Sequence, residues 1–318
     1  MIFANYFIAP FRQSKIFFLL SSSFLLLPSF SRATHLMGGN ISYEYLGETF
    51  PGSNQFSYRI TLVTFQDCSS SNWTPLGGLP DGQANIGIFE GPSTPTSDLS
   101  FIDNLTLPLI DSIPVTPPLP SGCVIPEVPC VYQVTYGNTI TLSLSFSGYH
   151  IYYDRCCRNN SVINLNNPGG QGMAFHAYIP PSIAVNSSPV FTDMPVPFIC
   201  VNDTTGILNT ATDPDGDLLI FSFEDPYEGE YTSGGQPAIT DYSSIAPINV
   251  PFPTVTWETG GYDKNTPFGP SGYAFINSFT GYSQYKPPDT GKFVIAVEIK
   301  EYRNGNLIGI TRRDMQLL

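Results

Sequence analysis

Strict alternation of apolar and polar residues is the feature that most constrains this chain. The segments FSYRITL (56–62), TITLSLSFS (139–147) and KFVIAVEIK (292–300) each place apolar side chains at every second position. Because successive side chains of a strand point to opposite faces, this period predicts strands with one face on a core. No apolar stripe recurs at helical spacing over three turns. The sequence therefore predicts an all-β fold of antiparallel sheets.

Turn-forming residues separate these predicted strands. The chain contains 30 prolines and 28 glycines, as a fold of many short strands requires. The segment YRNGNL (302–307) carries an Asn-Gly pair between two strand patterns, the strongest local signal for a β-hairpin. Short strands divided in this way are typical of antiparallel β-sandwiches.

The N-terminal segment has the layout of a secretory signal peptide. Arg12 and Lys15 precede the apolar run 16–30, and the small residue Ala33 follows it. An uncleaved membrane anchor is the alternative, but the run is shorter than the ~20 apolar residues that span a bilayer. We therefore expect residues 1–33 to be removed as a signal peptide. The mature chain is then predicted to lack a membrane span and to be extracellular or held at the cell surface.

The remaining chain is long enough for two domains. The segment IPPSIAVNSSPVF (179–191) combines a proline pair with a short polar link, and we place the boundary there. This gives an N-terminal β-sandwich domain with disulfides over residues 34–185. A second β-sandwich domain is predicted over residues 186–318, so the fold class is two tandem antiparallel sandwiches.

An even number of cysteines in an exported chain favours disulfides over thiols. The six cysteines are Cys68, Cys123, Cys130, Cys156, Cys157 and Cys200. Proximity favours Cys123–Cys130 as a clip across a proline-rich loop. The adjacent Cys156 and Cys157 should bond to different partners, because neighbouring side chains in extended backbone point to opposite faces.

The charge balance of the chain bears on its partners. The sequence has 26 acidic and 13 basic residues and a net charge of −13. Such a chain repels phosphate backbones, which argues against nucleic acid as a partner. A surface protein or a glycan is the partner that we expect.

The segment ATDPDGDLLIFSF (211–223) crowds three carboxylates into one turn, those of Asp213, Asp215 and Asp217. Asp, Pro and Gly all form turns, so a polar turn before a strand is the alternative interpretation. Three carboxylates at alternate positions repel one another unless a hard cation with oxygen ligands neutralises them. These aspartates are therefore the predicted metal ligands, and calcium is the predicted cofactor.

No catalytic motif is present in the sequence. The GxSxG and HExxH patterns are absent, and the histidines His35, His150 and His176 are far apart. We expect His150 to be a strand residue and the protein not to be an enzyme. Trp257, beside a glycine-rich loop, and then Trp73 are the aromatic residues best placed to contact a ligand.

Several segments resemble a known group of surface proteins. ATHLMGGNISYEYLG, GYHIYYDRCCRNNSVINL and EYRNGNLIGITRRDMQL resemble the N-terminal region of gliding-motility-associated or PKD-domain secreted proteins of Bacteroidota. The resemblance implies Sec export followed by type IX secretion to the cell surface. NSSPVF (186–191) and ATDPDGD (211–217) separately resemble the linker and the acidic motif of cadherin-like domains, although Ser187 and Ser188 stand where cadherin linkers are acidic. This second resemblance implies that the domain over residues 186–318 is a cadherin-like or immunoglobulin-like β-sandwich.

These observations predict a non-enzymatic, exported cell-surface module. It would act in adhesion or as a structural part of a larger surface protein. Two alternatives stay open at this point. One is a glycan-binding module of a polysaccharide-using system, and the other is an extracellular glycoside hydrolase acting through a pair of carboxylates.

Overall fold

The computed structural model describes residues 36–68, 82–94, 99–116, 123, 130–193, 198–229, 241–244 and 253–318. Over these residues the chain forms β-strands and two single-turn 3-10 helices, with no α-helix, so the all-β prediction is confirmed. No helix in these ranges has the length and apolar character that a membrane crossing needs. The predicted signal peptide and Trp73 lie outside the described residues.

Fifteen strands are present in the described ranges. They are β1 (Leu36–Glu48), β2 (Gln55–Asp67), β3 (Gln83–Glu90), β4 (Ser100–Val115), β5 (Val131–Ser143), β6 (Tyr149–Arg155), β7 (Met173–Ile179), β8 (Val190–Phe191), β9 (Thr205–Leu208), β10 (Ala211–Thr212), β11 (Leu218–Glu224), β12 (Tyr273–Ile276), β13 (Tyr282–Lys286), β14 (Phe293–Arg303) and β15 (Asn306–Leu317).

Ten of these strands form one sheet, in the order β1-β2-β5-β4-β3-β6-β7-β15-β14-β11. An additional pairing of β1 with β15 closes the first eight strands of this order into a ring of hydrogen-bonded neighbours. A three-stranded sheet, β12-β13-β9, and the short pair β10-β8 complete the described strands. All the ladders between these strands are antiparallel, as the alternation predicts.

Two main cores follow from the alternation. Apolar side chains of β1 to β7, among them Ile41, Ile60 and Phe175, form the first core. The second core lies between β11, β14 and β15 and the three-stranded sheet, and it contains Phe221 and Tyr285. Each core therefore collects the apolar face of several half-buried strands.

The predicted hairpin joins β14 to β15. Asn304 and Gly305 have φ angles of 53° and 79°, and Arg303 pairs with Asn306 across the turn. Positive φ at both central residues is what a type I′ turn requires, and the Asn-Gly pair supplies it at low cost. The hairpin prediction is confirmed.

Strand β5 ends earlier than the alternation suggests. Its last residue is Ser143, whereas the apolar pattern continues to Phe146, which is exposed. The backbone N–H of Ser145 instead donates to the hydroxyl of Ser182. This side-chain hydrogen bond replaces the ladder, so the periodic pattern extends beyond the strand.

The division into two tandem sandwiches is not confirmed. Residues Ala33–Leu318 form one compact unit, and β15 pairs with both β1 and β7 across the proposed boundary at 185/186. The linker itself is buried at Asn186 and Ser188. Ser188 exchanges hydrogen bonds with the backbone of Tyr43 on β1, so the polar link follows a strand of the main sheet.

All six cysteines lie in disulfide pairs, but the proposed clip Cys123–Cys130 is wrong. Cys68 pairs with Cys130, and Cys123 pairs with Cys200. The register of β2 and β5 explains the first pair. Asp67 is opposite Val131, so Cys68, which follows Asp67, lies beside Cys130, which precedes Val131. Their Cα atoms lie 4.9 Å apart, within the range that a disulfide requires.

The expectation that Cys156 and Cys157 have different partners is also wrong. They are paired with each other, with Cα atoms 3.1 Å apart. Strand β6 ends at Arg155, so the two cysteines lie outside the strand. The alternation of side chains between opposite faces therefore does not apply to them.

Candidate metal centre

The acidic turn lies between β10 and β11. One carboxylate oxygen of Asp213, Oδ1, accepts the backbone N–H groups of Asp215 and Asp217, both at 2.9 Å. Gly216 has a φ of 80°, a conformation that glycine adopts without steric cost. Asp213 thus closes the turn as the polar-turn interpretation predicts, but only with one of its two oxygens.

Asp213 belongs to an acidic cluster. Ligand atoms of Asp213, Asp217 and Glu301 lie within 4.8 Å of one another. Strand pairing brings Glu301 there, because the start of β11 is paired with the end of β14 and Leu219 is opposite Glu301. Glu301 is far from the turn in the sequence, so neither the alternation of residues nor the spacing of the aspartates predicted it as a ligand.

Glu301 is fully buried and incompletely satisfied. Its Oε2 accepts a hydrogen bond of 2.6 Å from Asn186, while Oε1 has no hydrogen-bond partner. The pKa of Glu301 is raised to about 8, mainly by burial and also by the nearby charges of Asp213 and Asp217, although the hydrogen bond from Asn186 lowers it. An unpartnered oxygen on a buried carboxyl group is costly unless a cation or a proton compensates it.

Glycine on the neighbouring strand leaves room for this carboxyl group. Glu301 on β14 is opposite Gly309 on β15, and a Cβ atom built on Gly309 would lie 2.2 Å from Oε1 of Glu301. No other residue type fits at position 309 while Glu301 keeps its place. The close approach therefore fixes the direction in which the glutamate points.

Asp213 shows the same deficit. Its Oδ2 is buried and has no hydrogen-bond partner, and burial raises the pKa of its carboxyl group. Asp213 in the turn and Glu301 on β14 thus each contribute a buried oxygen without a hydrogen-bond partner to one acidic cluster. Such a set of hard oxygen atoms is what calcium and magnesium bind in proteins.

The positively charged side chain of Arg303 lies beside the acidic cluster. Arg303 donates from Nε and Nη2 to the two carboxylate oxygens of Asp217, at 2.8 and 2.5 Å. It also donates to the carbonyl oxygen of Val185 and to Oδ1 of Asn186. Within the acidic cluster the guanidinium group pairs with Asp217, and no ion pair to Asp213 or Glu301 is found among the described residues.

Asp215, the third predicted ligand, does not belong to the group of three. Its Oδ2 accepts the backbone N–H of Ser187 at 2.6 Å and lies 3.8 Å from Nη2 of Arg303. Asp215 therefore ties the acidic turn to the polar link instead of facing Glu301. Glu301, and not Asp215, is the third member of the acidic cluster.

Trp257 is the predicted ligand-contact residue that lies within the described ranges, and its side chain is held by contacts within the protein. Trp257 is half-buried, packs against a small core that includes Val255, and donates from Nε1 to Asp225 at 2.8 Å. These contacts favour a packing role for Trp257.

His150 and His176, far apart in the sequence, meet across β6 and β7. Their Nδ1 and Nε2 atoms lie 2.8 Å apart, and both rings are buried. Burial lowers the pKa of His150 to about 4 and that of His176 well below its ordinary value. Both imidazoles are therefore neutral at pH 7, and the expectation that His150 lies in a strand is confirmed.

No protein-family model, no curated protein and no solved structure matches this chain.

Proposed function

We propose that this chain is a non-enzymatic, exported surface module in which Asp213, Asp217 and Glu301 bind calcium as a structural ion. Within a larger surface protein it would act in adhesion or as a structural part. The proposal depends most on one observation, the two unpartnered buried oxygens of Asp213 and Glu301. The disulfide pairs support export, because such bonds persist in oxidising compartments.

The tolerance of calcium for irregular coordination favours it over magnesium. Calcium binds oxygen ligands at about 2.4 Å, so two ligands of one ion can be as much as ~4.8 Å apart. The three carboxylates satisfy this limit. Magnesium needs a nearly ideal octahedron at about 2.1 Å, which three carboxylates already constrained by Arg303 and Asn186 are poorly placed to supply. Water and backbone carbonyl groups would complete the calcium shell.

The ion would link distant parts of the fold. Asp213 and Asp217 belong to the acidic turn, whereas Glu301 is on β14 and is hydrogen-bonded through Asn186 to Tyr43 on β1. A calcium ion would therefore join the turn to the sheet and to the polar link. Its effect would be on stability, since no step of a reaction is assigned to these residues.

Calorimetric titration of the purified protein with calcium chloride, after dialysis against chelator, tests this proposal. We expect one site with a dissociation constant of ~0.1–1 mM, as extracellular calcium sites commonly show. Glu301→Gln should remove the binding heat. Asp263→Asn is the matched control, because Asp263 also accepts two backbone N–H groups of its own turn but is outside the acidic cluster. Unchanged binding by Glu301→Gln would contradict the proposal.

The glycan-binding and glycoside-hydrolase alternatives stay predictions. The acidic cluster does not favour a hydrolase, because the carboxylate of Asp217 is paired with Arg303 and that of Glu301 is buried and hydrogen-bonded to Asn186.

A further inference from the structure

A second buried charge, the guanidinium group of Arg313, lies apart from the acidic cluster. Arg313 is on β15, opposite Asn40 of β1 and Val297 of β14, and only 2% of its surface is exposed. The guanidinium carbon lies 3.7 Å from the centre of the Phe191 ring. The Nε and Nη1 atoms have no hydrogen-bond partner.

No carboxylate in the described ranges forms an ion pair with Arg313. The charge of Asp193 raises the pKa of Arg313, but the carboxylate of Asp193 accepts hydrogen bonds from the hydroxyl groups of Thr192 and Thr210. Burial lowers the pKa of Arg313 to about 9, so the group is still charged at neutral pH. A buried arginine needs an anionic partner or several acceptors, and neither is found among the described residues.

Arg313 lines a cleft of about 610 Å³. This volume lies in the range of small-molecule sites, ~300–1,000 Å³. Hydroxyl and amide groups of Ser42, Thr61, Asn40 and Gln133 share the wall with apolar side chains such as Phe65 and with the carboxylates of Glu44 and Asp193. Groups of these kinds can hydrogen-bond sugar hydroxyl groups, and an apolar face can cover a sugar ring.

The backbone around the cleft is already paired, which argues against a peptide that adds as a strand. One edge of β1 is bonded to β2 along its length. The other edge is bonded to β15 at Gly38–Asn40 and to Ser187 and Ser188 farther along. Strand addition needs an open edge, and recognition here must therefore use side chains.

We propose that this cleft binds an acidic sugar, with Arg313 donating to the sugar carboxylate and Asn40 hydrogen-bonding beside it. The planar guanidinium group matches the two oxygens of a carboxylate. The cross-strand pair of Asn40 and Arg313 places both side chains at the same point of the cleft wall. The inference does not depend on calcium binding at the acidic cluster.

Calorimetric titration of the purified protein with uronate tetramers, oligogalacturonate and oligomannuronate, tests the proposal. The matched probes are their methyl esters, which keep the sugar rings and hydroxyl groups but replace each charged carboxylate by a neutral ester with one added methyl group. We expect an acid to bind at least about tenfold more tightly than its ester, since charge-assisted hydrogen bonds contribute on that scale. Equal binding of acid and ester, or no binding of either acid at millimolar concentration, would overturn the proposal.

Two variants, Arg313→Met and Asn40→Asp, and one control variant test where the sugar binds. Arg313→Met should lose the preference for the acid, while Lys286→Met, which removes an exposed charge outside the cleft, should keep it. Asn40→Asp should supply Arg313 with a carboxylate from within the chain, so we expect lost sugar binding together with a raised melting temperature. Asn40→Asp therefore tests whether the sugar carboxylate binds Arg313 even if Arg313→Met does not fold. Retained binding in Asn40→Asp would contradict the assignment.

Two further titrations are needed. The first tests whether the sugar binds in the cleft or at the metal centre, and the second tests whether the ligand is a sugar carboxylate or a peptide carboxylate. Glu301→Gln should bind the uronate tetramer as the wild-type protein does, and loss of binding there would move the ligand to the metal centre and overturn the inference. A tetrapeptide with an unmodified C-terminus, compared with its amide, tests a peptide carboxylate. Preferential binding of that peptide without binding of the sugar would overturn the choice of an acidic sugar.

Discussion

Arg158 and Asp314, 156 residues apart in the sequence, form an ion pair in the interior of the protein. The Nη2 and Oδ2 atoms lie 2.5 Å apart, and the side chains are 1% and 2% exposed. Arg158 precedes the proposed domain boundary and Asp314 follows it. The pair therefore joins the two halves that the sequence suggests are separate.

Removal of the Asp314 charge should be strongly destabilising. Asp314→Asn would leave the guanidinium group of Arg158 buried without its counter-charge, at a cost of about 3–5 kcal/mol. The control is Glu44→Gln, which breaks the exposed pair of Glu44 with Arg59 and should cost less than about 1 kcal/mol. Urea unfolding measures both, and similar losses in the two variants would count against a buried pair.

Disulfide connectivity gives the second prediction. Peptide mapping without reduction should recover Cys68–Cys130 and Cys123–Cys200 as linked peptides. Replacing Cys123 and Cys200 by serine should cost about 4 kcal/mol in a loop-entropy account, because that bond closes a loop of 77 residues. Serine at both Cys156 and Cys157 is the control, since that pair closes no long loop. A Cys123–Cys130 peptide would refute the pairing.

Local features of the fold could be predicted from the sequence, because their causes are local. Alternation fixes the strands, and the Asn304–Gly305 pair fixes the hairpin. Asp213 closes its turn through hydrogen bonds to residues two and four positions away. None of these depends on which strands become neighbours.

The remaining features depend on strand order, which alternation does not encode. Glu301 joins the acidic cluster only because β11 pairs with β14. Likewise, Cys68 meets Cys130 because β2 pairs with β5. The proline-containing link suggested a boundary, but its serines bond to β1. A polar segment that pairs with a strand has the same composition as a linker in solvent.

Gly309 should be essential for the position of Glu301. Gly309→Ala would place a Cβ atom 2.2 Å from Oε1 of Glu301 and force the carboxyl group to move. We expect calcium binding to weaken at least about tenfold, and stability to fall by about 1–3 kcal/mol from overpacking. Gly82→Ala, where the new atom meets open space, is the control. Wild-type calcium affinity in Gly309→Ala would contradict the position of Glu301.

The buried histidine pair predicts acid sensitivity. The unfolded chain takes up protons on these imidazoles near pH 6.5, whereas His150 in the folded protein does so near pH 4. The folded state therefore binds fewer protons across this window, and the free energy of unfolding falls as the pH is lowered through it. His150 alone accounts for about 3 kcal/mol over the full range.

Urea unfolding at several pH values between 7 and 4 measures this effect. Carboxyl groups also titrate there, so the informative quantity is the difference between the wild-type protein and His150→Gln. We expect a smaller loss of stability on acidification in the variant. Parallel curves for the two proteins would show that the histidine pair is not the source.

Thermal melting in calcium and in chelator tests the central claim most directly. At a calcium concentration ten times the dissociation constant, linkage adds about 1.4 kcal/mol, which is a few degrees for a protein of this size. We predict this rise for the wild-type protein and for Asp263→Asn. Glu301→Gln should show no rise, and in chelator it should melt at or above the wild-type temperature, because a buried unpartnered carboxyl group is removed. Equal melting temperatures of the wild-type protein with and without calcium would contradict the account.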